Sequence, residues 1–424
     1  MPSRHASEPR ARVARHATRR RTHRIRHGVA LTVVAVLAFA TTGIATAYGR
    51  LQGNVDVADA LSLAGAPPAP ATTADAAPVD PAAGKAINLL VMGSDQRDGV
   101  NGAIGGSVKG MRSDTTIVVH ISADRTRAEL VSIPRDSLVA VPSCTMTDGS
   151  TSKARKDMFN SAFATGWDQG GDMTSAAACT IKTVQSLTGL TIDHFVVVDF
   201  AGFQQMVDAV GGVPICIPKN YDSPEAGLHV TAGYQTLDGT TALAYARARK
   251  GTNMNGSDLQ RAGRQQQLVA AMVREVLSKN VLTNVPQLLS FLDAATSSLT
   301  VDPGLGHLTD MAGLALSLRG LDTSRITFMT IPVATAPSDP NRVVWTSAAT
   351  TIWSNMVADQ PVVAQETTTP TTAPTASASP GSTAPAATAT TAPTTPGASP
   401  SSSPLTDYQP GDPFTAEDTT AVCG

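Results

Sequence analysis

The sequence predicts an α/β domain in which helices cover a central sheet. Three observations carry this. INLLVMG (87–93) and TTIVVHIS (115–122) are continuous apolar runs, the mark of strands buried on both faces. Amphipathic stretches at helical spacing lie between such runs. The two patterns alternate along the chain instead of segregating, as in layered α/β sheets.

The domain begins at Lys85 and ends near Asp359. Its strands are expected at 87–93, 115–122, 128–134 (AELVSIP), 194–200 (HFVVVDF) and 325–332 (RITFMTIP). Helical periodicity covers 175–188, 201–210, 238–246, 257–279, 285–298 and 307–319. His120, His194 and His229 fall inside the domain without any nucleophile or metal-ligand pattern, and read as structural.

The flanks have a different texture. Residues 1–27 hold nine Arg and one Glu, leaving 23 basic and 33 acidic side chains for the rest. An acidic body argues against nucleic acid as a partner. GVALTVVAVLAFATTGIATAY (28–48) has no charge, and about 20 apolar residues suffice to cross a bilayer. The arginine block before it places the N-terminus in the cytoplasm and the domain outside a single-pass cell-membrane anchor. Ala45-Thr46-Ala47 also fits a signal-peptidase site, but the length of the apolar run favours a retained helix. Residues 49–84, rich in Ala, Pro and Thr, read as a linker. Residues 360–404 read as a disordered Thr/Pro/Ala stalk, and 405–424 as a short tail. Cys144, Cys179, Cys216 and Cys423 all follow the apolar segment, which suits disulfides outside the cell. Three pairings are open. Cys144 with Cys179 is preferred, and Cys216 with Cys423 would complete it.

Five short motifs carry the chemistry. GSDQRDG (93–99) follows a strand, so Asp95 and Arg97 stand where α/β sheets collect ligands. RSDTT (112–116) supplies Arg112 and Asp114 at another strand end. Two carboxylates with phosphate oxygens suit Mg²⁺. SIPRDS (132–137) puts Arg135 in the loop after a strand. YARARKG (245–251) places Arg247 and Arg249 on one face if extended, and apart if helical. DLQRAGRQQQ (258–267) opens a helix with Asp258 as its cap. Arg261, Arg264, Gln265 and Leu268 then form one stripe, polar first and apolar after. Helix N-termini and guanidiniums both bind phosphate. Each motif alone also reads as a polar turn, a surface ion pair or a solvated face. Together they describe a pyrophosphate-plus-metal site. P-loop, Rossmann, G-x-S-x-G and HExxH signatures are absent.

NLLVMGSDQR, RSDTTIVVHI, VSIPRDS, FNSAFATGW, TVQSLTGLTIDHFVVVDFAGF, VDAVGGVPI, LDGTTALAYARAR and DLQRAGRQQQ occur in this order. They closely resemble the LytR-CpsA-Psr family of cell-wall glycopolymer ligases over about residues 85–335. The resemblance implies a three-layer α/β/α sandwich with a central mixed sheet and an apolar pocket for a polyprenyl tail. It implies a phosphotransferase that takes a glycan from a polyprenyl-pyrophosphate carrier and joins it to a peptidoglycan hydroxyl, typically muramic acid C6. Asp95 and Asp114 match the residues that hold Mg²⁺ (or Mn²⁺), with Asp114 also the choice for a base. Arg112, Arg135, Arg247 and Arg249 match catalytic arginines; Arg97, Arg261, Arg264 and Gln265 match pyrophosphate-binding positions. Trp167 stands where the family pattern would have a second glycine, and a polar DQGGDM stretch follows. Ala-, Arg- and Thr-rich composition favours an actinobacterial source, for which the resemblance implies arabinogalactan or another secondary wall polymer, such as a teichoic-acid-like glycan, as the donor. A polyprenyl-pyrophosphate hydrolase and a non-catalytic wall-binding or regulatory module are the alternatives.

Overall fold

The computed structural model describes residues 31–66 apart from six positions, then 80–96, 99–105, 110–277, 284–363 and 412–418. The chain divides into Met1–Gly53 and Asn54–Gly424. In the first unit, the described residues from 31 to 53 are helical. The expected span at 28–48 falls partly outside the described residues, and among those described no helix is long and apolar enough to cross a membrane.

The second unit is built on one eight-stranded sheet. Its strands in chain order are β1 (Asp56–Val57), β2 (Ile87–Ser94), β3 (Ser113–Ile121), β4 (Ala128–Ser132), β5 (His194–Val198), β6 (Leu299–Val301), β7 (Ile326–Thr330) and β8 (Phe414–Thr415). The order across the sheet is β1-β6-β5-β2-β3-β4-β7-β8. Parallel and antiparallel neighbours are mixed: β2 runs parallel to β5 and antiparallel to β3, and β4 runs parallel to β7. The five expected strands are all present, with ends within two residues of expectation, and all central.

Alternation along these strands explains the continuous apolar runs. Leu90, Met92, Val118, Val131 and Met329 pack into one buried cluster. Their neighbours Val91, Ile117, Val119, Leu130 and Phe328 pack into another. Successive side chains point to opposite faces, so both faces are covered. The first face is covered by α1 (Ala60–Ala64), α3 (Ser161–Gly170), α4 (Met173–Thr188) and α10 (Ser347–Val357). The second is covered by α7 (Asp258–Leu277). The arrangement is the expected α/β/α layering. Between them in sequence lie α2 (Gly99–Gly105), α5 (Phe200–Ala209), α6 (Gly239–Arg247), α8 (Val285–Thr296) and α9 (Leu308–Ser317). A third cluster joins α5, α6 and α7 to the strands 213–217 and 233–237.

Two flanking segments differ from expectation. The 49–84 linker is not all spacer: β1 pairs with β6, and Leu61 and Ala64 of α1 are buried in the main core. Asp59 caps α1 by accepting from Ser62 N, so a short apolar helix forms and packs within an Ala-rich stretch. At the other end, β8 of the short tail pairs antiparallel with β7. Phe414 stacks on Phe328 with ring centroids 5.4 Å apart. Of the stalk expected at 360–404, residues 364–404 lie outside the described residues.

Cys144 and Cys179 form a disulfide, with Cα atoms 5.2 Å apart, in the core under α4. Cys216 is also disulfide-bonded, while Cys423 lies outside the described residues. The three histidines have structural partners: His120 meets Asn88 and Asp359, His194 meets Asp302, and His229 meets Asp222.

One buried acid sets a pH dependence. Glu129 on β4 is 3% exposed and accepts from Arg127 Nε at 2.8 Å. Burial pushes its carboxyl up from 4.5 to about 7, and Arg127 opposes this only in part. The folded chain therefore keeps a proton that the unfolded chain releases. This contribution is complete below the unfolded value and is lost as pH rises through the folded one. Glu129→Gln is expected to flatten the fall in melting temperature between about pH 5 and about pH 8. Thermal unfolding across that range checks it; an unchanged slope would rule Glu129 out as the source.

Candidate active site

A cavity of about 440 Å³ is lined by the ends of β2 and β5, the start of β3, and residues of α5, α6 and α7. Its position follows from the strand directions. β2 and β5 are parallel neighbours, with Gly93 opposite Val198, so their carboxyl ends open together. Gly93 faces Thr115, where an added Cβ would lie 3.2 Å from the Thr115 Cβ. The β2–β3 ladder then shifts register: Gly93 pairs with Thr115, but Ser94 pairs with Ser113. Asp114 is the extra residue of this bulge. Bulges re-aim side chains beside functional sites, and Asp114 lines the cavity.

Helix α7 gives the cavity its polarity. Arg261, Gln265, Leu268 and Met272 line it in succession. These are one helical stripe running about 16 Å at 1.5 Å per residue, guanidinium at the start and thioether at the end. Phe203 and Met206 of α5 and Leu243 of α6 add to the apolar lining. The site thus suits a ligand with an anionic head and an apolar body.

At the polar end, charges are paired but not exhausted. Arg135 Nη1 donates to Asp114 Oδ1 at 2.6 Å. Arg261 Nη2 donates to the Asp114 carbonyl at 3.2 Å, and its Nη1 lies 3.8 Å from Asp114 Oδ2. Burial pushes the Asp114 carboxyl up, yet Arg261 and Arg135 outweigh it, and the carboxyl sits below its usual value. Arg135 Nε lies 3.2 Å from Asp258 Oδ1, and Arg261 Nη2 also contacts Asp258. Burial pushes Asp258 up and Arg261 down, each only partly offset by the other. The Nε atoms of Arg135, Arg249 and Arg261 are buried without a hydrogen-bond partner. Buried donors are usually hydrogen-bonded, so these guanidiniums keep capacity for an anion in the cavity.

The expected site residues divide. Asp114, Arg135, Arg247, Arg249, Arg261 and Gln265 converge on the cavity. Arg247 closes α6, and Ala248 then leaves the helical conformation at φ −58°, ψ 130°. The RAR pair is therefore split between a helix end and a non-helical residue, and both still line the cavity. Arg247 lies over the Phe200 ring, 4.5 Å from its centroid, and donates to Ile104 O at 3.2 Å.

Asp95, Arg112 and Arg264 do not line it. Asp95 is buried at the strand end, where its backbone N donates to Arg112 O at 2.9 Å and its Oδ1 accepts from Arg112 N. Arg112 is exposed. Arg264 is turned into the core and donates to the Tyr245 and Ala248 carbonyls. Arg97 lies outside the described residues.

Asp258 corrects its sequence reading as a helix cap. Ser257 takes that place, its Oγ accepting from Gln260 N at 3.2 Å. Asp258 is instead the buried carboxylate between Arg135 and Arg261. Its three-residue spacing from Arg261 is the only trace of this in the sequence.

Residues 65–359 match the model of the LytR_cpsA_psr family. The cell wall biosynthesis protein LcpA of Corynebacterium glutamicum is 33% identical over 269 residues, 59% of this chain and 51% of that protein. The polyisoprenyl-teichoic acid–peptidoglycan teichoic acid transferase TagU of Oceanobacillus iheyensis is 31% identical over 229 residues, 54% of this chain and 63% of that protein. The chain thus spans between half and two thirds of the length of these curated relatives. A solved LytR-Csp2A-Psr enzyme from Actinomyces oris is 22% identical, with a TM-score of 0.47 over 69% of this chain and 96% of that one.

Proposed function

The chain belongs to the LytR_cpsA_psr family, and from that premise we propose that it is a phosphotransferase joining a glycopolymer to peptidoglycan. The donor in this reading is a glycan on a polyprenyl-pyrophosphate carrier, and the acceptor is a peptidoglycan hydroxyl, muramic acid C6 first. The glycan is a secondary wall polymer such as arabinogalactan or a teichoic-acid-like chain. The observation that carries the proposal is the graded cavity: arginine guanidiniums at one end of the α7 stripe and apolar side chains at the other. A pyrophosphate esterified to a long hydrocarbon has that same gradient. The TagU name supports the reaction class. The apolar 28–48 segment would keep the domain beside a membrane-borne donor.

The chain's own residues can be given roles. Arg135, Arg247, Arg249 and Arg261 would grip the pyrophosphate and stabilise charge as it moves to the leaving polyprenyl phosphate. Gln265 would donate beside them. Asp114 is the cavity carboxylate that contacts Arg135 and Arg261. In the free site its arginine neighbours weaken it as a base. Once they turn to the pyrophosphate it regains the ability to accept the acceptor's hydroxyl proton. Mg²⁺ (or Mn²⁺) would be held by Asp114, the one of the two expected carboxylates that lines the cavity, and would supply further charge neutralisation. The donor set fits this demand. Among the described residues no cluster of three or more His, Cys, Asp or Glu could hold a metal. Mg²⁺ needs only one or two carboxylates alongside phosphate oxygens and water.

Arg247→Ala is expected to lower turnover at least tenfold, ~1.4 kcal/mol of transition-state stabilisation, with little loss of stability. Polyprenyl phosphate release by the full chain in vesicles, with lipid-linked glycan and peptidoglycan oligomer, measures it. Wild-type turnover in the variant would remove Arg247 from the site. Release that is indifferent to the acceptor would favour the hydrolase, and binding without turnover the non-catalytic module.

A further inference from the structure

Helix α6 ends without the usual means of ending. A glycine in the left-handed conformation commonly closes a helix and satisfies its last carbonyls. Here the residue that follows is Ala248, at φ −58°, ψ 130°, neither glycine nor left-handed. The orphan carbonyls find partners on α7 instead. Arg264 Nε donates to Tyr245 O at 3.3 Å, and Arg264 Nη2 donates to Ala248 O. Gln265 Nε2 donates to Ala246 O at 3.1 Å. Three carbonyls in four residues are thus held by two adjacent side chains. The guanidinium also lies against two aromatic rings, 5.7 Å from the Tyr221 centroid and 5.9 Å from that of Tyr245. Arg264 is 4% exposed and is not part of the cavity wall.

The held segment is the one that carries Arg247 and Arg249, both in the cavity wall. We infer that Arg264 is a positioning residue: it fixes the end of α6 so that Arg247 and Arg249 face the cavity, and it does not itself touch the phosphate. A planar fork on a rigid helix can bind two carbonyls at once, and a lysine cannot reproduce this. A cation at a helix C-terminus also meets the negative end of the dipole. The inference deepens the proposed function and rests on it for its catalytic consequence, but the structural strut stands apart from any substrate.

Two measurements on the full-length protein separate these. Hydrogen exchange needs no substrate. In Arg264→Lys, amides of 245–249 should exchange at least tenfold faster, with 266–271 unchanged. Unaltered exchange at 245–249 would overturn the strut. If Arg264→Lys does not fold, Gln265→Ala should loosen the same segment to a smaller extent; no change there would also overturn it. The second measurement is a double-mutant cycle on turnover with a lipid-linked pyrophosphate glycan. Arg264→Lys should lower kcat at least tenfold, and adding it to Arg247→Ala/Arg249→Ala should cost less than threefold more. Multiplicative losses would mean that Arg264 acts on the phosphate directly. A wild-type protein without turnover would sink the proposed reaction and leave the exchange result to decide the strut.

Discussion

Asp114→Asn is expected to lower transfer at least ~100-fold, the scale of losing one preorganised charged group at a reacting centre. Asp114 is the bulge residue between Ser113 and Thr115, and its carboxylate holds Arg135 at 2.6 Å. The amide keeps shape and volume but removes a negative charge from between two guanidiniums. Arg135 and Arg261 then lose one of the two carboxylates they share, with Asp258 remaining between them. The base and the cation ligand of the proposed reaction are removed together. Binding of the lipid-linked donor should survive better than turnover, because Arg247, Arg249 and Gln265 remain. Measured kcat and KM separate these: a large fall in kcat with KM within a few-fold is the expected pattern. Turnover within a few-fold of wild type would exclude Asp114 from the chemistry.

Arg261→Met is expected to cost both activity and stability. Arg261 is 4% exposed and contacts Asp258, whose side chain is 7% exposed. Removing one partner of a buried ion pair strands the other, at roughly 3 kcal/mol when, as here, a second cation remains nearby. Arg135 is that cation, with its Nε 3.2 Å from Asp258. The stranded Asp258 can also escape by taking up a proton. Its carboxyl is already raised by burial, and losing Arg261 raises it further. The variant should therefore recover stability as pH falls, while wild type gains less over the same range. Denaturant unfolding at several pH values tests this. A loss of stability that does not change with pH would show that packing, not the unpaired carboxylate, dominates.

These two residues also show what the sequence could and could not reveal. The central strands were legible because burial on both faces removes the polar alternation and leaves continuous apolar runs. The helices at 175–188 and 257–279 were legible because one face of each meets the sheet. Helix α3 was not, since it is rich in small residues: a Cβ on Gly166 would lie 2.1 Å from Ser175 O. Close approach of two helices selects Gly and Ala there and erases the hydrophobic period. Arg261 and Arg264 look alike in sequence, each on the same helical stripe. Only the packed α6–α7 pair sends one to the cavity and the other to backbone carbonyls. Asp95 and Asp114 were likewise equal in sequence, and the β-bulge is what turns Asp114 alone into the cavity wall.

The central claim is that the arginine-lined cavity transfers glycan-phosphate to a peptidoglycan hydroxyl. Mass spectrometry of the muropeptides formed by the purified full-length protein, lipid-linked glycan, Mg²⁺ and peptidoglycan oligomer tests it most directly. The expected product is a muramic acid bearing the glycan through a phosphodiester, formed with one polyprenyl phosphate per adduct and lost in Asp114→Asn. Free glycan phosphate with unmodified muropeptides would contradict it.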